Sequence, residues 1–353
     1  MLLIILGGVL LGLLLLQGLL YRRLWDKGLN YTIRFSTKEA FEGDRVFLRE
    51  ELSNKKFLPL PWVFAKLPLF SRFTFLDDEN MPVSDGARNS LFAIMGYTAM
   101  RRRKYFICNR RGVYNLHSAS LIISNLLHTR DYTKEFRQKG ELLVFPKLLE
   151  NCPQINLLFK QLDAAILSNR IINPDPFEFR GLREYQPTDP LKAVNFRASA
   201  VAGQLMVNIH APTAALRLVL VLNLEDMDAP TELHEENIRL CATIATRLIN
   251  LGAGVGLHMS CDGKQNAQAK IAKQFSYIQE KPHVGTGAGQ LYAIYERLAR
   301  VNVGIKYAPM ADWVNQLMDK ELAFVFISSY QGADFLNAFH GLRERGVSAV
   351  LLE

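Results

Sequence analysis

The run Leu218-Val219-Leu220-Val221-Leu222 decides the fold of the C-terminal part of the chain. Five consecutive apolar residues without polar alternation are typical of a strand buried on both faces, as in a parallel sheet covered by helices. An amphipathic stretch, residues 235–251, follows it, and a second apolar run, residues 322–327, comes later. This alternation of strand and helix predicts a doubly wound α/β domain over residues 213–353.

The periodicity of that domain also predicts its smaller elements. Further strands are expected over residues 254–260 and 347–352, and helices over residues 290–299, 311–318 and 333–345. No repeat and no low-complexity linker interrupts this order.

Residues 28–150 show the alternating pattern of half-buried strands instead. Tyr31-Thr32-Ile33-Arg34-Phe35-Ser36 alternates apolar and polar residues, and the strand-like residues 45–52 follow a Glu42-Gly43-Asp44 turn. Asn109-Arg110-Arg111-Gly112 lies between two further strand-like runs and predicts a hairpin turn. Several short strands at this spacing predict a small antiparallel β-sandwich over residues 28–150.

The N-terminal segment is a candidate membrane anchor. From Leu2 to Leu20 the chain has one polar side chain, Gln17, and no charge. A helix of that length, at about 1.5 Å per residue, extends about 28 Å and matches a hydrocarbon core of about 30 Å. The sequence therefore predicts a single transmembrane helix over residues 1–21.

Basic residues cluster directly after this segment: Arg22, Arg23, Lys27 and Arg34. By the positive-inside rule, they place the C-terminal body of the protein in the cytoplasm. The net charge of +8 suits an anionic membrane leaflet as well as it suits nucleic acid. For the run Arg101-Arg102-Arg103-Lys104, a solvated edge or a lipid-facing patch is the preferred interpretation, and no nucleic-acid partner is expected.

Signs of catalysis and of cofactor binding are weak. The four cysteines are isolated, which excludes zinc-ligand spacing and suits a reducing compartment. The seven histidines are dispersed, and neither H-E-x-x-H nor G-x-S-x-G occurs. We therefore expect a protein without catalytic residues and without a cofactor.

The most distinctive stretch, residues 179–200, reads FRGLREYQPTDPLKAVNFRASA. Asp189 followed by Pro190 predicts a helix N-cap and first helical position, and Gly203 predicts the end of that helix. One face of the expected helix is apolar, with Leu191, Val194, Ala198 and Val201 towards a core. A polar stripe on another face consists of Lys192, Asn195 and Ser199.

This stretch resembles the signature of the bacterial family called domain of unknown function 58. Members typically read Arg-x-Tyr-x-x-Gly-Asp-x-x-Arg-x-Ile-x-Trp-x-x-Ser-Ala-Arg. Identical residues here are Arg183, Tyr185, Asp189, Ser199 and Ala200, and close substitutions are Lys192, Val194 and Phe196. Thr188 and Val201 depart from the pattern. Residues 110–114 and 144–147 also resemble family segments, Arg-Arg-Gly-x-Tyr and Val-Tyr-Pro.

The resemblance implies that residues 213–353 are similar to a von Willebrand factor type A domain. That fold can bind a divalent cation through Asp-x-Ser-x-Ser at the end of its first strand. Here Asn223 stands at the aspartate position, and Glu225 and Met227 stand at the two serines. Because a hard cation needs several oxygen ligands, we expect a degenerate site and no bound metal.

The segment that contains the signature, residues 151–212, has two open interpretations, a structural lock onto the α/β domain and a docking site for a partner. Arg183 and Asp189 are expected to lock the segment onto the α/β domain through charge-assisted hydrogen bonds. Lys192 and Asn195 are expected to be exposed enough to meet a partner, which the resemblance implies to be a MoxR-type AAA+ ATPase. The preferred function is thus a non-catalytic, membrane-anchored interaction or assembly protein. The alternative is a metal-dependent enzyme that uses the end of the first α/β strand.

Overall fold

A computed structural model describes residues 2–66, 73–76, 89–150, 179–186, 194–210, 217–226, 229–260, 282–304, 307 and 309–352. Its contacts divide the chain into two units. Unit 1 contains Met1–Lys147 and Glu296–Arg300, and unit 2 contains Leu148–Tyr295 and Val301–Glu353. Within the described residues the protein is a mixed α/β protein with several sheets and an apolar N-terminal helix, as the sequence predicts at this level.

Unit 1 begins with helix α1, Leu2–Leu24. Its segment Ile5–Leu24 is 20 residues long, has a mean hydropathy of 1.8 and is only 7% buried. Among the described residues it is the helix that is long and apolar enough to cross a membrane. The predicted direction of insertion stays a prediction.

Two sheets form the rest of unit 1. Their strands are β1 Leu29–Phe35, β2 Glu39–Phe41, β3 Arg45–Asn54, β4 Leu60–Lys66, β5 Phe73–Phe75, β6 Asn89–Ile94, β7 Thr98–Cys108, β8 Gly112–Ser124 and β9 Asp131–Phe145. The first sheet has the order β1-β3-β7-β5 and the second β2-β9-β8-β4-β6. Neighbouring strands are antiparallel except for β2 and β9, which are parallel.

The two sheets of unit 1 share one apolar core. Leu48 of β3 and Phe106 of β7 come from the first sheet, and Val63 of β4 and Ile123 of β8 come from the second; all four are fully buried. The period-2 pattern of these strands turns alternate side chains towards that core. The arrangement is that of a sandwich with mostly antiparallel pairing.

The hairpin predicted at residues 109–112 is wrong. Strand β7 belongs to the first sheet, whereas β8 pairs with β9 and β4 in the second. The short connection therefore crosses the core from one sheet to the other. Gly112 has a φ of 147°, and Tyr114 donates a hydrogen bond from its hydroxyl to the carbonyl of Arg110 over 2.7 Å. A glycine tolerates such a φ because it lacks a Cβ.

Unit 2 contains a two-stranded sheet, a parallel sheet and several helices. Its elements are β10 Phe179–Glu184, α2 Phe196–Ala202, β11 Met206–His210, β12 Arg217–Asn223, α3 Thr231–Asn250, β13 Gly254–Met259, α4 Gly287–Arg300 (whose last turn is grouped with unit 1), α5 Met310–Gln316, β14 Ala323–Ser328, α6 Ala333–Glu344 and β15 Ala349–Leu352. Strands β10 and β11 are antiparallel. The second sheet has the order β13-β12-β14-β15 and is parallel throughout.

The first strand of the parallel sheet is buried as the sequence predicts. All residues of β12 after Arg217 are buried, and Val219 and Val221 belong to one core cluster with side chains of α5 and α6. Phe326 of β14 contacts Phe335 of α6 edge-on in the same cluster. The buried apolar runs therefore position the carboxyl ends of β12 and β14 side by side.

Candidate functional site

The signature segment forms a small module of two strands and one helix. Strands β10 and β11 pair so that Arg183 lies opposite Val207, and helix α2 lies between them in sequence. An isolated bridge joins Val194 to Val207, and both side chains are buried. We call residues 179–186 and 194–210 the signature module. Asp189 and Lys192 lie outside the described residues, so their expected roles stay predictions.

Asn195 is the N-cap of helix α2. Its backbone is extended, with φ −89° and ψ 92°, and its Oδ1 accepts a hydrogen bond from the amide of Ala198 over 3.0 Å. Its Nδ2 donates to Oδ1 of Asn208 over 2.8 Å, and its amide donates to the carbonyl of Met206 over 2.8 Å. Both polar ends of the side chain are thus occupied within the module.

The helix predicted to run from Pro190 to about Val201 therefore does not extend unbroken through Val194 and Asn195. The bridge at Val194 and the extended backbone at Asn195 place the start of α2 at Phe196. An asparagine at this position caps the first free amides as well as an aspartate would. The predicted end is confirmed, because Gly203 is the C-cap with a left-handed φ of 70°.

Ser199 fastens helix α2 to strand β11. Its hydroxyl donates to the carbonyl of Asn195 over 2.7 Å and accepts from the amide of Met206 over 2.8 Å. Both bonds satisfy backbone groups inside the module. Beyond the end of β10, the amide of Tyr185 donates to the carbonyl of Leu205 over 2.8 Å. The guanidinium of Arg183 donates to the carbonyl of the next residue, Glu184.

Apolar side chains are exposed on the same module. Helix α2 has no buried residue, and Phe196 and Val201 are 73% and 88% exposed. Leu182 and Leu205 are also exposed. The expectation that Val201 faces a core is therefore wrong, whereas Val194 is buried as expected. Because the helix starts at Phe196 and not at Pro190, Val194 lies before it, and the predicted apolar stripe does not form one continuous face of the helix.

The carboxyl end of β12 forms the second candidate site. Asn223 is fully buried and lies in register with Ser328 of β14. Its Oδ1 accepts hydrogen bonds from the amide of Glu225 and from the hydroxyl of Ser260, each over 3.1 Å. Its Nδ2 and the hydroxyl of Ser329 are buried without a hydrogen-bond partner in the described part of the chain. Oδ1 of Asn223, the side-chain oxygen that could bind a cation, thus already accepts two hydrogen bonds.

Glu225 lies beside two aspartates that are distant in sequence. Its Oε2 accepts a hydrogen bond from the amide of Met310 over 3.2 Å, at the start of α5. Burial raises the pKa of Glu225, the Met310 hydrogen bond opposes this, and the charges of Asp312 and Asp334 raise the pKa further. No role for Asp312 and Asp334 at this site was predicted from the sequence alone.

A signal for the two aspartates does exist in the sequence. Asp334 comes six residues after the end of β14, and Asp312 lies in the first turn of α5. Carboxyl ends of parallel strands meet at one edge, so residues that follow β12 and β14 are expected to converge there. Met227 lies outside the described residues. Within those that are described, no group of three or more His, Cys, Asp or Glu side chains is arranged to hold a metal ion.

We expect Glu225→Gln to raise the melting temperature at pH 7. A carboxyl whose pKa is raised by folding binds its proton more tightly in the native state, so its ionisation above that pKa destabilises the fold. An uncharged glutamine avoids this cost and still accepts from Met310. The gain over the parent is expected to be full above the raised pKa and to shrink as the pH falls through it, disappearing below the ordinary carboxyl pKa of 4.5, where the carboxyl is protonated in both states. Thermal melts of both proteins between pH 4 and pH 8 measure it.

Asp226→Asn is the matched control, because that neighbouring carboxylate accepts a hydrogen bond from the amide of Ala229 over 3.2 Å, which an asparagine oxygen can also accept. A saturable rise in melting temperature of the parent with millimolar Mg²⁺, lost in Glu225→Gln, would contradict this interpretation. It would mean that the carboxylate is a cation ligand, since a ligand that binds only the native state stabilises it by mass action.

Three arginines form a row on the first sheet of unit 1. Arg49 of β3 lies in register with Arg34 of β1 on one side and with Arg103 of β7 on the other. The guanidinium of Arg103 lies 5.4 Å from the ring centre of Phe47. Like charges on directly opposite residues of a sheet repel each other and lower the stability of the fold. The row therefore forms a basic surface whose charges do not stabilise the folded protein.

No family model matches the chain. The uncharacterized protein YeaD of Bacillus subtilis (strain 168) is 27% identical over 147 residues, which are 42% of this chain and 36% of that protein. The chain thus aligns with about a third of the length of this curated relative.

Several solved structures are similar to the chain at low sequence identity. The CARDB domain of a Pyrococcus furiosus protein is 8% identical, covering 33% of this chain and 94% of that one, with a TM-score of 0.20. A protein of unknown function from Porphyromonas gingivalis W83 is 11% identical over 33% of this chain and 48% of that one, with a TM-score of 0.23. A non-cellulosomal cohesin from Archaeoglobus fulgidus is 12% identical over 33% and 91%, with a TM-score of 0.20.

Proposed function

We propose that the protein is a membrane-anchored interaction or assembly protein without catalytic activity, and that its signature module docks a MoxR-type AAA+ ATPase. The carrying observation is the exposure of Phe196 and Val201 on a helix that has no buried residue. Exposed large apolar side chains often mark protein-binding sites.

Two further properties of the module support docking. Asn195 and Ser199 are used in local hydrogen bonds, which hold α2 against β11 and keep its apolar side chains outward. A helix fixed in advance loses little conformational entropy when a partner binds. Phe196 also stands at the position of the tryptophan in the family signature. Trp and its aromatic substitutes are the side chains most often found at binding hot spots.

The α/β unit supports the proposed resemblance to a von Willebrand factor type A domain. Its first strand, β12, lies between the second and the third, and all neighbours are parallel. The chain adds the second strand on one side of β12 and the third on the other. With right-handed crossovers, such a strand order places helices on both faces of the sheet, as in doubly wound folds. The occupied Oδ1 of Asn223 agrees with an interaction domain that works without a metal.

The membrane anchor is α1, and the body of the protein is proposed to lie in the cytoplasm. Arg22 and Arg23 are exposed in the last turn of α1, directly after its apolar segment. Basic residues at this position favour the cytoplasmic side. AAA+ ATPases work on that side, so the proposed orientation and the proposed partner are consistent with each other.

We expect Phe196→Ala to weaken binding of the full-length protein, in detergent or nanodiscs, to a purified MoxR-type AAA+ ATPase of the same cell. Truncation of an aromatic hot spot typically costs about 2 kcal/mol or more, or about 30-fold in affinity. The free energy of unfolding should change by less than about 0.5 kcal/mol, because the side chain is exposed. Pull-down and titration measure the first quantity, and thermal melts the second.

Leu251→Ala is the matched control, since Leu251 is 72% exposed in the same unit and lies outside the signature module. It should leave binding unchanged. Equal binding by the parent and Phe196→Ala, or a parent that binds no such ATPase, would refute the docking role of this helix.

A further inference from the structure

Three loops of unit 1 lie at the end of the sandwich where α1 joins it. In the first sheet, Asn54 at the end of β3 is in register with Leu29, which opens β1, and with Thr98, which opens β7. Residues in register share an end of the sheet. The loop after Asn54, residues 55–59, and the loop before Thr98, residues 95–97, therefore leave at the same end.

The second sheet places a third loop at this end. Leu60, which opens β4, is in register with Ile94, the last residue of β6. Trp62 of the same strand lies opposite Ser124, which ends β8 and pairs with Asp131. The turn at residues 125–130 therefore lies beside the other two loops. We call residues 55–59, 95–97 and 125–130 the anchor-end loops.

Specific contacts fix the end of α1 among these loops. The hydroxyl of Tyr21 donates to the carbonyl of Pro59 over 2.7 Å, and the ammonium of Lys56 donates to the carbonyl of Trp25 over 2.6 Å. The ring of Trp25 stacks on Tyr132 of β9 at 5.2 Å between centroids. If the 20 residues of Ile5–Leu24 span the hydrocarbon core, these contacts hold the loops at the level of the lipid headgroups.

The anchor-end loops expose large apolar side chains. The exposed fractions are 56% for Phe57, 70% for Met95, 74% for Tyr97, 52% for Leu126 and 50% for Leu127. They come from three segments that are distant in sequence, and the fold brings all of them to one end. A soluble surface rarely collects this much apolar area without a partner.

The loops hold these side chains outward. A Cβ on Gly96 would lie 2.4 Å from the carbonyl oxygen of Phe57, so only glycine lets the two loops approach this closely. Tyr97 has a positive φ of 54°, and its amide donates to the carbonyl of Lys56 over 3.0 Å. Asn54 ties the same loops together, because its Nδ2 donates to the carbonyls of Leu58 and Met95.

The turn that carries Leu126 and Leu127 is also fixed. Oδ1 of Asn125 accepts from the amide of Thr129 over 2.7 Å, and its Nδ2 donates to the hydroxyl of Thr129 over 2.8 Å. The amide of Asn125 donates to the carbonyl of Arg130. Both leucines therefore point away from a closed turn.

We infer that the anchor-end loops insert into the headgroup region of the bilayer that α1 spans. The occupant is a lipid surface because hydrogen bonds from Tyr21 to Pro59 and from Lys56 to Trp25 hold the loops at the end of the membrane-spanning segment. Their composition fits that depth, since aromatic rings collect at membrane interfaces. Arg22, Arg23, Lys55 and Arg130 are exposed in or near the loops and suit anionic headgroups. The inference rests on the proposed membrane anchorage.

The test places a tryptophan at the tip of one loop in the full-length protein. Leu127→Trp is reconstituted into vesicles of phosphatidylcholine and phosphatidylglycerol, with or without bromine on the shallow acyl carbons. The added emission, measured relative to the parent, should fall at least about twofold with the brominated lipid, since interfacial apolar groups lie about 5–10 Å into the headgroup boundary. Tyr97→Trp is the second probe, because it replaces one exposed aromatic ring by another.

Thr37→Trp is the matched control. Thr37 is exposed beyond the far end of β1, and its added emission should stay within about 10% with either lipid, because quenching requires contact with the chains. Flotation of the same vesicles tests the anchor separately. Protein that floats while Leu127→Trp and Tyr97→Trp are unquenched would overturn the inference and leave the anchor intact. Protein that does not float would overturn both.

Discussion

Leu14→Arg together with Leu15→Arg should release the protein from membranes. Both residues lie in the middle of α1, and both are exposed on its surface. A charged residue at the centre of a transmembrane helix costs about 2.5–3.5 kcal/mol on insertion scales, so the pair costs about 5–7 kcal/mol. This corresponds to a change of about 10⁴ in the insertion equilibrium. Extraction at alkaline pH and flotation of full-length protein measure the membrane-bound fraction.

Leu14→Val with Leu15→Ile is the matched control and should stay membrane-bound. Continued membrane retention of the double arginine variant would mean that another surface binds the bilayer. A C-terminal phosphatase fusion tests the orientation at the same time, because that enzyme is active only outside the cytoplasm. A bright signal from the parent fusion would contradict the proposed cytoplasmic body.

Gln138→Leu should strongly destabilise unit 1. Gln138 is buried in β9, where its Oε1 accepts from the amide of Ile33 and its Nε2 donates to the carbonyl of Tyr31, each over 2.9 Å. Strand β1 is at the edge of its sheet. The side chain of Gln138 therefore makes the hydrogen bonds to the β1 backbone that a neighbouring strand would make in the middle of a sheet. Leucine leaves two buried backbone groups without partners at about 1–3 kcal/mol each, or about 2–6 kcal/mol together.

Urea or thermal unfolding of the full-length protein measures this loss. Lys139→Leu is the matched control, since Lys139 is the next residue of β9 and is exposed. It should change the free energy of unfolding by less than about 0.5 kcal/mol. A Gln138→Leu protein as stable as the parent would mean that water replaces the amide in this position.

The sequence by itself determined the elements whose signals are local. The apolar run before Leu20 predicted α1, and the run at residues 218–222 predicted the buried strand β12. Gly203 predicted the end of α2, because glycine accepts the left-handed φ at little cost. In each case the periodicity or the conformational preference belongs to neighbouring residues, so no distant contact is needed to read it.

Tertiary structure decided the features that depend on distant pairing. Helix α2 starts at Phe196, later than the sequence predicts. Val207 of β11 bridges to Val194, and the amide of Asn195 donates to the carbonyl of Met206. The charges of Asp312 and Asp334 act on the pKa of Glu225 because elements that follow parallel strands lie at one edge of the sheet. The connection at residues 109–112 crosses between sheets because β8 finds its partners in β4 and β9.

Local and long-range features are determined by different parts of the chain. The residues of one short segment determine its burial pattern and turn preference, whereas strand register determines which segments lie next to one another. The apolar residues of the anchor-end loops look like ordinary loop residues in sequence, since single exposed apolar side chains are common. Only the register of Asn54 with Leu29 and Thr98 gathers them beside α1, and that pairing is set by packing of the whole sandwich.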